Sequence, residues 1–201
     1  MASQVEICNQ ALTKAGAARI VSLLDDAESA RVLSAIYNVK LEAELAAQPW
    51  TFAIKRVQLP ASSTAPVFGW SYQYPLPADY LAMVEVGENY TFYDSDNGAL
   101  FQIEGSDAGT VIATDQGSPL NIRYIRRVTT PGLYPALFVE AFACRLAAEI
   151  CERITQNLSK RQQAWDERKQ ALRDARRVNA IEQPPRQVPP SSWTRALLEN
   201  L

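Results

Sequence analysis

Hydrophobic spacing changes period twice along this chain, and that change constrains the fold more than any other feature. From Ser3 to about Ala46 apolar residues recur at helical spacing. From Trp50 to Arg127 they come in short β-type runs cut by Pro, Gly and Asn, and from Pro135 to about position 180 helical spacing returns. An amphipathic helix cannot bury its own stripe, so the two ends must pack on one another and the β segment must project between them. The fold class expected is α+β: a four-helix bundle formed by both ends of the chain, an inserted antiparallel β-sheet domain and an extended C-terminal arm. Residues 1–48 supply helices one and two, 49–130 the β insertion, 131–180 helices three and four, and 181–201 the arm. With 201 residues, 47% of them hydrophobic and 21% charged, the chain is long enough and apolar enough to build a core.

Ser3-Gln-Val-Glu6 is a capping box, and Gly16 is a natural C-terminal stop, which predicts helix one over about 3–15. Asp25 and Asp26 are expected to cap helix two, which runs to about Ala46 before Pro49. Leu33, Tyr37, Leu41 and Leu45 share one face of that helix, while Val32, Ile36 and Val39 form a second apolar stripe that needs its own partner, a further helix or a neighbouring subunit. Helix three, 135–155, is apolar almost all round, with Arg145, Glu149, Glu152 and Arg153 in a narrow stripe that allows Arg145–Glu149 and Glu149–Arg153 pairs. Helix four, about 158–180, carries Leu158, Trp165 and Leu172 seven apart with Ala164, Ala171 and Ala175 nearby, on an otherwise charged rod.

Strands are expected near 51–58, 81–86, 90–93, 99–103, 109–113 and 120–128, with Asn97-Gly98 as a hairpin turn. Pro60 to Pro77, which holds Trp70, Tyr72 and Tyr74, reads as an extended aromatic loop of the kind that meets partners. The last segment has Pro184-Pro185 and Pro189-Pro190 followed by Trp193, Leu197 and Leu198, an extended arm ending in an apolar hook.

The chain has no histidine, which removes Ser-His-Asp and Cys-His activation and the commonest zinc and iron ligands. Cys8, Cys144 and Cys151 fall on apolar helix faces without a C-x-x-C pair and read as reduced core residues. Counted as a calcium loop from Asp94, Asp94-Ser-Asp-Asn-Gly98 puts the glycine at the fifth position, not the sixth, and Gly105 at the twelfth in place of glutamate, so a turn is expected. Gly105 and Gly109 lack phosphate-loop spacing. Adjacent carboxylates such as Asp25 and Asp26 suit a helix start better than acid–base work. No catalytic residue, metal or cofactor is therefore assigned. No stretch approaches the roughly 20 apolar residues of a membrane span, and no basic leader precedes an apolar core, so the site of synthesis expected is the cytoplasm and no membrane partner is expected.

Net charge is −2, unevenly divided: residues 1–120 carry six basic and 14 acidic side chains, net −8, and residues 121–201 carry 14 basic and eight acidic, net +6. Such a split suits head-to-tail contact between copies, a basic surface facing nucleic acid, or chance segregation on one globule. On helix four, Lys160, Arg161, Arg168, Lys169, Arg173, Arg176 and Arg177 can neutralise phosphates, but Asp166, Glu167 and Asp174 lie among them, and a solvated or subunit-facing helix competes with that reading.

Five segments in order, Ser3-Gln-Val-Glu-Ile-Cys-Asn-Gln-Ala-Leu12, Pro49-Trp-Thr-Phe-Ala-Ile-Lys-Arg56, Tyr74-Pro-Leu-Pro-Ala-Asp-Tyr-Leu81, Pro119-Leu-Asn-Ile-Arg-Tyr-Ile125 and Phe138-Val-Glu-Ala-Phe-Ala143, together resemble the tail tubular protein A family, the head-to-tail adaptors of short-tailed bacteriophages. The resemblance spans roughly residues 1–175. It implies a non-enzymatic virion component made in the host cytoplasm: a ring of twelve copies at the head–tail junction, joined to the portal protein above and to a nozzle of the tail tubular protein B type below, with tail fibres as further partners. DNA would then pass non-specifically through the channel. On that footing Val32, Ile36 and Val39 are candidate subunit contacts, Arg168, Arg173, Arg176 and Arg177 candidate channel-facing residues, and Trp193, Leu197 and Leu198 a candidate anchor on the portal or a neighbouring copy. The alternative from another class is a cytosolic DNA-binding or regulatory module that uses helix four.

Overall fold

The computed structural model describes residues 2–87, 93–94, 98–106 and 109–182. Four helices, α1 (Gln4–Ala15), α2 (Glu28–Ala46), α3 (Ala136–Ile154) and α4 (Leu158–Glu182), pack together. Between α2 and α3 run the strands β1 (Ile54–Leu59), β2 (Tyr72–Pro75), β3 (Tyr80–Val86), β4 (Tyr93–Asp94), β5 (Gly98–Ala99), β6 (Gln102–Ser106), β7 (Gly109–Thr114) and β8 (Leu120–Arg126). They form two three-stranded antiparallel sheets, ordered β1-β8-β3 and β2-β7-β6, and a short β4-β5 ribbon.

The capping box is complete: the Glu6 amide donates to Ser3 Oγ at 3.2 Å and the Ser3 amide to Glu6 Oε2 at 2.6 Å. Gly16 ends α1 in the left-handed conformation, φ +75°, its N–H reaching Leu12 and Thr13 carbonyls. A Cβ there would lie 1.8 Å from Lys160 Nζ, so a side chain at this position would have to push aside the end of that lysine of α4. The loop that follows is pinned by buried Asn9, whose Nδ2 donates to the Ile20 carbonyl at 2.9 Å and whose Oδ1 accepts the Ile20 amide at 2.8 Å.

The start of α2 departs from the expectation. Ala27 is the N-cap, with no side-chain bond, and Asp25 instead turns back to accept the amides of Val21 and Ser22 at 2.8 and 3.0 Å. Asp26 pairs with Arg31. The carboxylate satisfies free amides of the loop before the chain reaches the helix, which is the local competition that aspartate always offers the backbone.

Eleven residues of α3 are buried, and α1, α2 and α4 all pack against it. The same-helix pairs expected of its charged stripe, Arg145–Glu149 and Glu149–Arg153, do not form; Arg145 meets Glu44 of α2 at 2.7 Å, Glu149 meets Lys40 of α2 at 2.6 Å, Arg153 meets Glu28 of α2 at 3.0 Å and Glu152 meets Arg161 of α4 at 2.9 Å. For Arg145 the facing Glu44 is 1% exposed against 27% for Glu149 on the same helix, so the inter-helix pair is the stronger there, while Arg153 and Glu28 pair in solvent. Lys14 of α1 similarly bridges Glu140 of α3 and Glu167 of α4 at 3.3 and 2.9 Å. On α4, Ala164, Ala171, Leu172 and Ala175 are buried and Trp165 half-buried, but Leu158, expected in that seven-residue stripe, is exposed at the first turn. The helix runs to Glu182, two residues into the segment expected as arm.

Two hydrophobic cores result. The larger joins the helices around Leu12, Leu33, Tyr37, Leu45, Phe138, Phe142 and Leu146, and receives Ile125, Leu81 and Val84 from one face of the first sheet. The other face of that sheet, through Leu120, Ile122, Tyr124 and Val86, packs with Tyr74 and Ile112 of the second sheet. Period-two alternation on β8 thus serves both cores, with Ile125 turned to the helices and Ile122 and Tyr124 turned away. Two expectations change here. Residues 72–75, read as aromatic loop, are a strand whose Tyr74 is wholly buried and donates its OH to the Gln116 carbonyl. Gly98, read as a turn residue, sits in the ladder opposite Asp94, while Asn97 lies outside the described residues.

Two experiments test this packing. Gly16→Ala places a Cβ in the left-handed region and displaces Lys160, and should cost about 1–2 kcal/mol, a few degrees of Tm in a chain of this size. Unchanged melting would show that the close approach carries no energy. Separately, partial burial would raise Asp79, but the Tyr124 hydroxyl at 2.7 Å and Lys55 at 3.1 Å hold it below its ordinary value. The hydrogen bond from Lys14 does the same for Glu167. Both contributions are complete above the ordinary carboxylate range and are lost as pH falls through the lowered folded-state values. Tm should therefore drop between about pH 6 and pH 3, and the Asp79→Asn, Glu167→Gln double variant, less stable at pH 6, should lose less of its remaining stability over that interval.

Candidate interaction surfaces

The orientation of α4 is set by a buried carboxylate that sequence spacing did not reveal. Glu44 is 1% exposed and accepts from Arg145 Nη1 of α3 at 2.7 Å and from Arg168 Nη2 of α4 at 2.8 and 3.2 Å. Its backbone carbonyl accepts the Trp50 indole N–H at 3.0 Å. The Arg168 guanidinium also lies 5.3 Å from the Trp165 ring centroid. One carboxylate and two guanidinium groups thus tie three helices at a single point. The signal was present: Glu44 interrupts the apolar face formed by Tyr37, Leu41 and Leu45.

That tie sorts the basic residues of α4. Arg168 is directed inward to Glu44. Arg161 pairs with Glu152 and Lys169 with Asp166, each at 2.9 Å. Arg176 reaches the Gln48 side chain. Arg173 and Arg177 are exposed, one turn apart, with no acidic partner among the described residues. The C-terminal half of α4 therefore presents Arg173, Arg176 and Arg177 on one face, while Arg168 belongs to the interior.

Val32, Ile36 and Val39 do share a stripe of α2, but unequally. Val32 and Ile36 are half-buried against the helical core, and Val39 is 65% exposed. Beside them Glu28, Arg31, Ala35 and Arg153 complete a shallow recess of about 300 Å³. A second, more apolar recess of about 170 Å³ opens between the start of α3 and the end of α4, walled by Pro135, Ala136, Leu137, Val178 and Glu182 and floored by Trp50 and Phe138. It depends on the packing of two helices distant in sequence, which no local pattern discloses. Two further apolar points stand out in loops, Val21 and Leu24 before α2, and Val67 and Phe68 in the stretch before β2, all at least 86% exposed.

Trp193, Leu197 and Leu198 lie outside the described residues. The three cysteines are buried, and burial pushes the Cys8 thiol up to about 12 and raises Cys144 and Cys151. Among the described residues no three Cys, Asp or Glu side chains gather to hold a metal ion. No helix among them is long and apolar enough to cross a membrane.

Removing the central carboxylate should be costly. Glu44→Ala leaves two guanidinium groups partly buried and unpaired, and should destabilise by about 3 kcal/mol, whereas the Glu44→Met, Arg145→Leu, Arg168→Met replacement should recover most of that loss in a denaturant titration. A single variant as stable as the wild type would show that water already compensates the pair. Set against models of known protein families, the chain matches none, and no curated protein sequence matches it.

Proposed function

We propose that this chain is a head-to-tail adaptor of a short-tailed bacteriophage, a structural virion protein that assembles as a ring between the portal and the tail nozzle and surrounds the DNA exit channel. The observation that carries the reading is the place of the five ordered segments that resemble tail tubular protein A. They contribute Leu12, Trp50, Tyr74, Leu120, Tyr124, Phe138 and Phe142, residues buried in the two cores, so the resemblance runs through the positions that determine the packing. Support also comes from the acidic first part and basic last part of the chain, since heterologous contacts between unlike faces close into rings when the subunit rotation allows. In this reading the α2 stripe ending at Val39 meets a neighbouring copy, Arg173, Arg176 and Arg177 face the channel, tail proteins including fibres meet the β insertion, and the C-terminal residues form an extended arm whose Trp193, Leu197 and Leu198 anchor it in the assembly.

Arg173 and Arg177, exposed and without an acidic partner among the described residues, favour one other reading, a cytosolic DNA-binding or regulatory module that lays α4 along a phosphate backbone. Native mass measured on the 22.3 kDa protein alone and with a portal ring separates the two. About twelve copies added per portal are expected of the adaptor. A chain that ignores the portal but binds duplex DNA with a steep salt dependence, abolished by Arg173→Gln, Arg176→Gln and Arg177→Gln together, would instead establish the DNA-binding module.

A further inference from the structure

The two flanks of α4 carry opposite charge. The helix lies on α3 between α1, whose Lys14 reaches Glu167, and the end of α2, where Glu44 meets Arg168 and Gln48 follows to meet Arg176. Successive helical residues turn by about 100°, so Glu167 and Asp174, seven apart, share the α1 flank, and Lys169 and Arg176, also seven apart, share the α2 flank. Beside the α1 flank, Glu140 of α3 joins Glu167 and Asp174 in an open groove of about 490 Å³ that Leu137 and Ala171 also line. Lys14 offsets one of these three carboxylate charges and leaves two. On the α2 flank, Arg176 is exposed and reaches only the neutral Gln48 amide among the described residues, and Lys169 pairs with Asp166 in solvent, a contact of little energy.

We propose that the acidic flank of α4 and its groove receive the basic flank of α4 from a second copy of the chain, Arg176 against Asp174 and Lys169 against Glu167. Level charges point to a second copy. A closed ring repeats by rotation alone, so each residue keeps its height along the ring axis. With α4 lying along the channel wall, acid and base of neighbouring copies meet only where they are level, and Asp174 and Arg176 differ by two residues, about 3 Å of rise. Glu167 and Lys169 differ by the same step two turns below, which gives a second rung. Side chains two residues apart point about 160° away from one another, so a chain cannot join its own flanks, whereas a chain with a neighbour on each side joins both. Arg173 and Arg177 lie between the flanks and stay toward the channel, with Arg176 at the edge of their face. The inference rests on the proposed ring of copies but not on the portal or on DNA.

Cross-linking of full-length chains tests it. Asp174→Cys and Arg176→Cys in one chain cannot bond to each other, because their Cβ vectors diverge. Cys8, Cys144 and Cys151 are wholly buried and do not compete. Oxidation of this double variant should trap a ladder of covalent multimers, while each single variant stays monomeric. Adding Lys169→Glu, an exposed position, sets two acids face to face on the second rung and should reduce the ladder at least about tenfold. The proposal is overturned by the absence of a ladder, by single variants that dimerise as readily, or by a ladder indifferent to Lys169→Glu. Native mass of the wild type with the portal reports on the adaptor reading separately. Copies that add to the portal while the double variant gives no ladder keep the adaptor and remove this contact, and a ladder from a chain that ignores the portal does the reverse.

Discussion

A helix that is apolar on nearly every side has to be walled in, and the rest of this molecule follows from enclosing α3. Its buried residues, from Phe138 to Cys151, occupy most of its circumference. They are covered by α1 and α2 from the start of the chain and by α4 from its end. The start and end of the chain therefore meet, and everything between α2 and α3 must leave the helices and return. The strands do so through one aromatic junction, in which Trp50, Phe52, Tyr134 and Phe138 contact one another with ring centroids 5.0–6.2 Å apart. Three of these contacts, those of Phe138 with Trp50, Phe52 and Tyr134, are edge to face, a packing that fixes orientation as well as burying area.

The polar groups show how such enclosure is made specific. Apolar walls alone leave helices free to slide or rotate, whereas Glu44 with Arg145 and Arg168, Lys14 with Glu140 and Glu167, and Lys40 with Glu149 each join helices at a defined height. Only Glu44 is fully buried, so the triad around it is the tie whose loss leaves charge without water. The others are partly hydrated and add less.

Much of the architecture was legible because it rests on local rules. Ser3 with Glu6, Gly16, the Leu33–Tyr37–Leu41–Leu45 face and the all-round apolarity of α3 act over a few residues, and spacing reveals them. What the pattern missed depends on partners distant in sequence. Tyr74 reads as a loop aromatic because prolines surround it, and it becomes a strand residue only when β7 offers hydrogen bonds. Arg145 has a same-helix partner within reach and takes Glu44 instead, because burial strengthens the inter-helix pair. Arg168 reads as one basic residue among seven, although its side chain turns inward and the exposed ones are Arg173, Arg176 and Arg177. The recess beside Trp50 had no sequence signature at all, being the space left where α3 begins and α4 ends.

The end of α4 is fastened to the chain that leaves α2. Asn179 donates to the Pro49 carbonyl and accepts the Thr51 amide, and the Thr51 hydroxyl donates to Glu182, at 2.9, 2.8 and 2.6 Å. These three bonds bridge the final turn of α4 to the neck between helices and strands. Tension applied to the chain beyond Glu182 would load them together, in parallel, and would reach the neck before it reached the helical core. A pull on the end of α4 is therefore also a pull on the neck at Pro49 and Thr51.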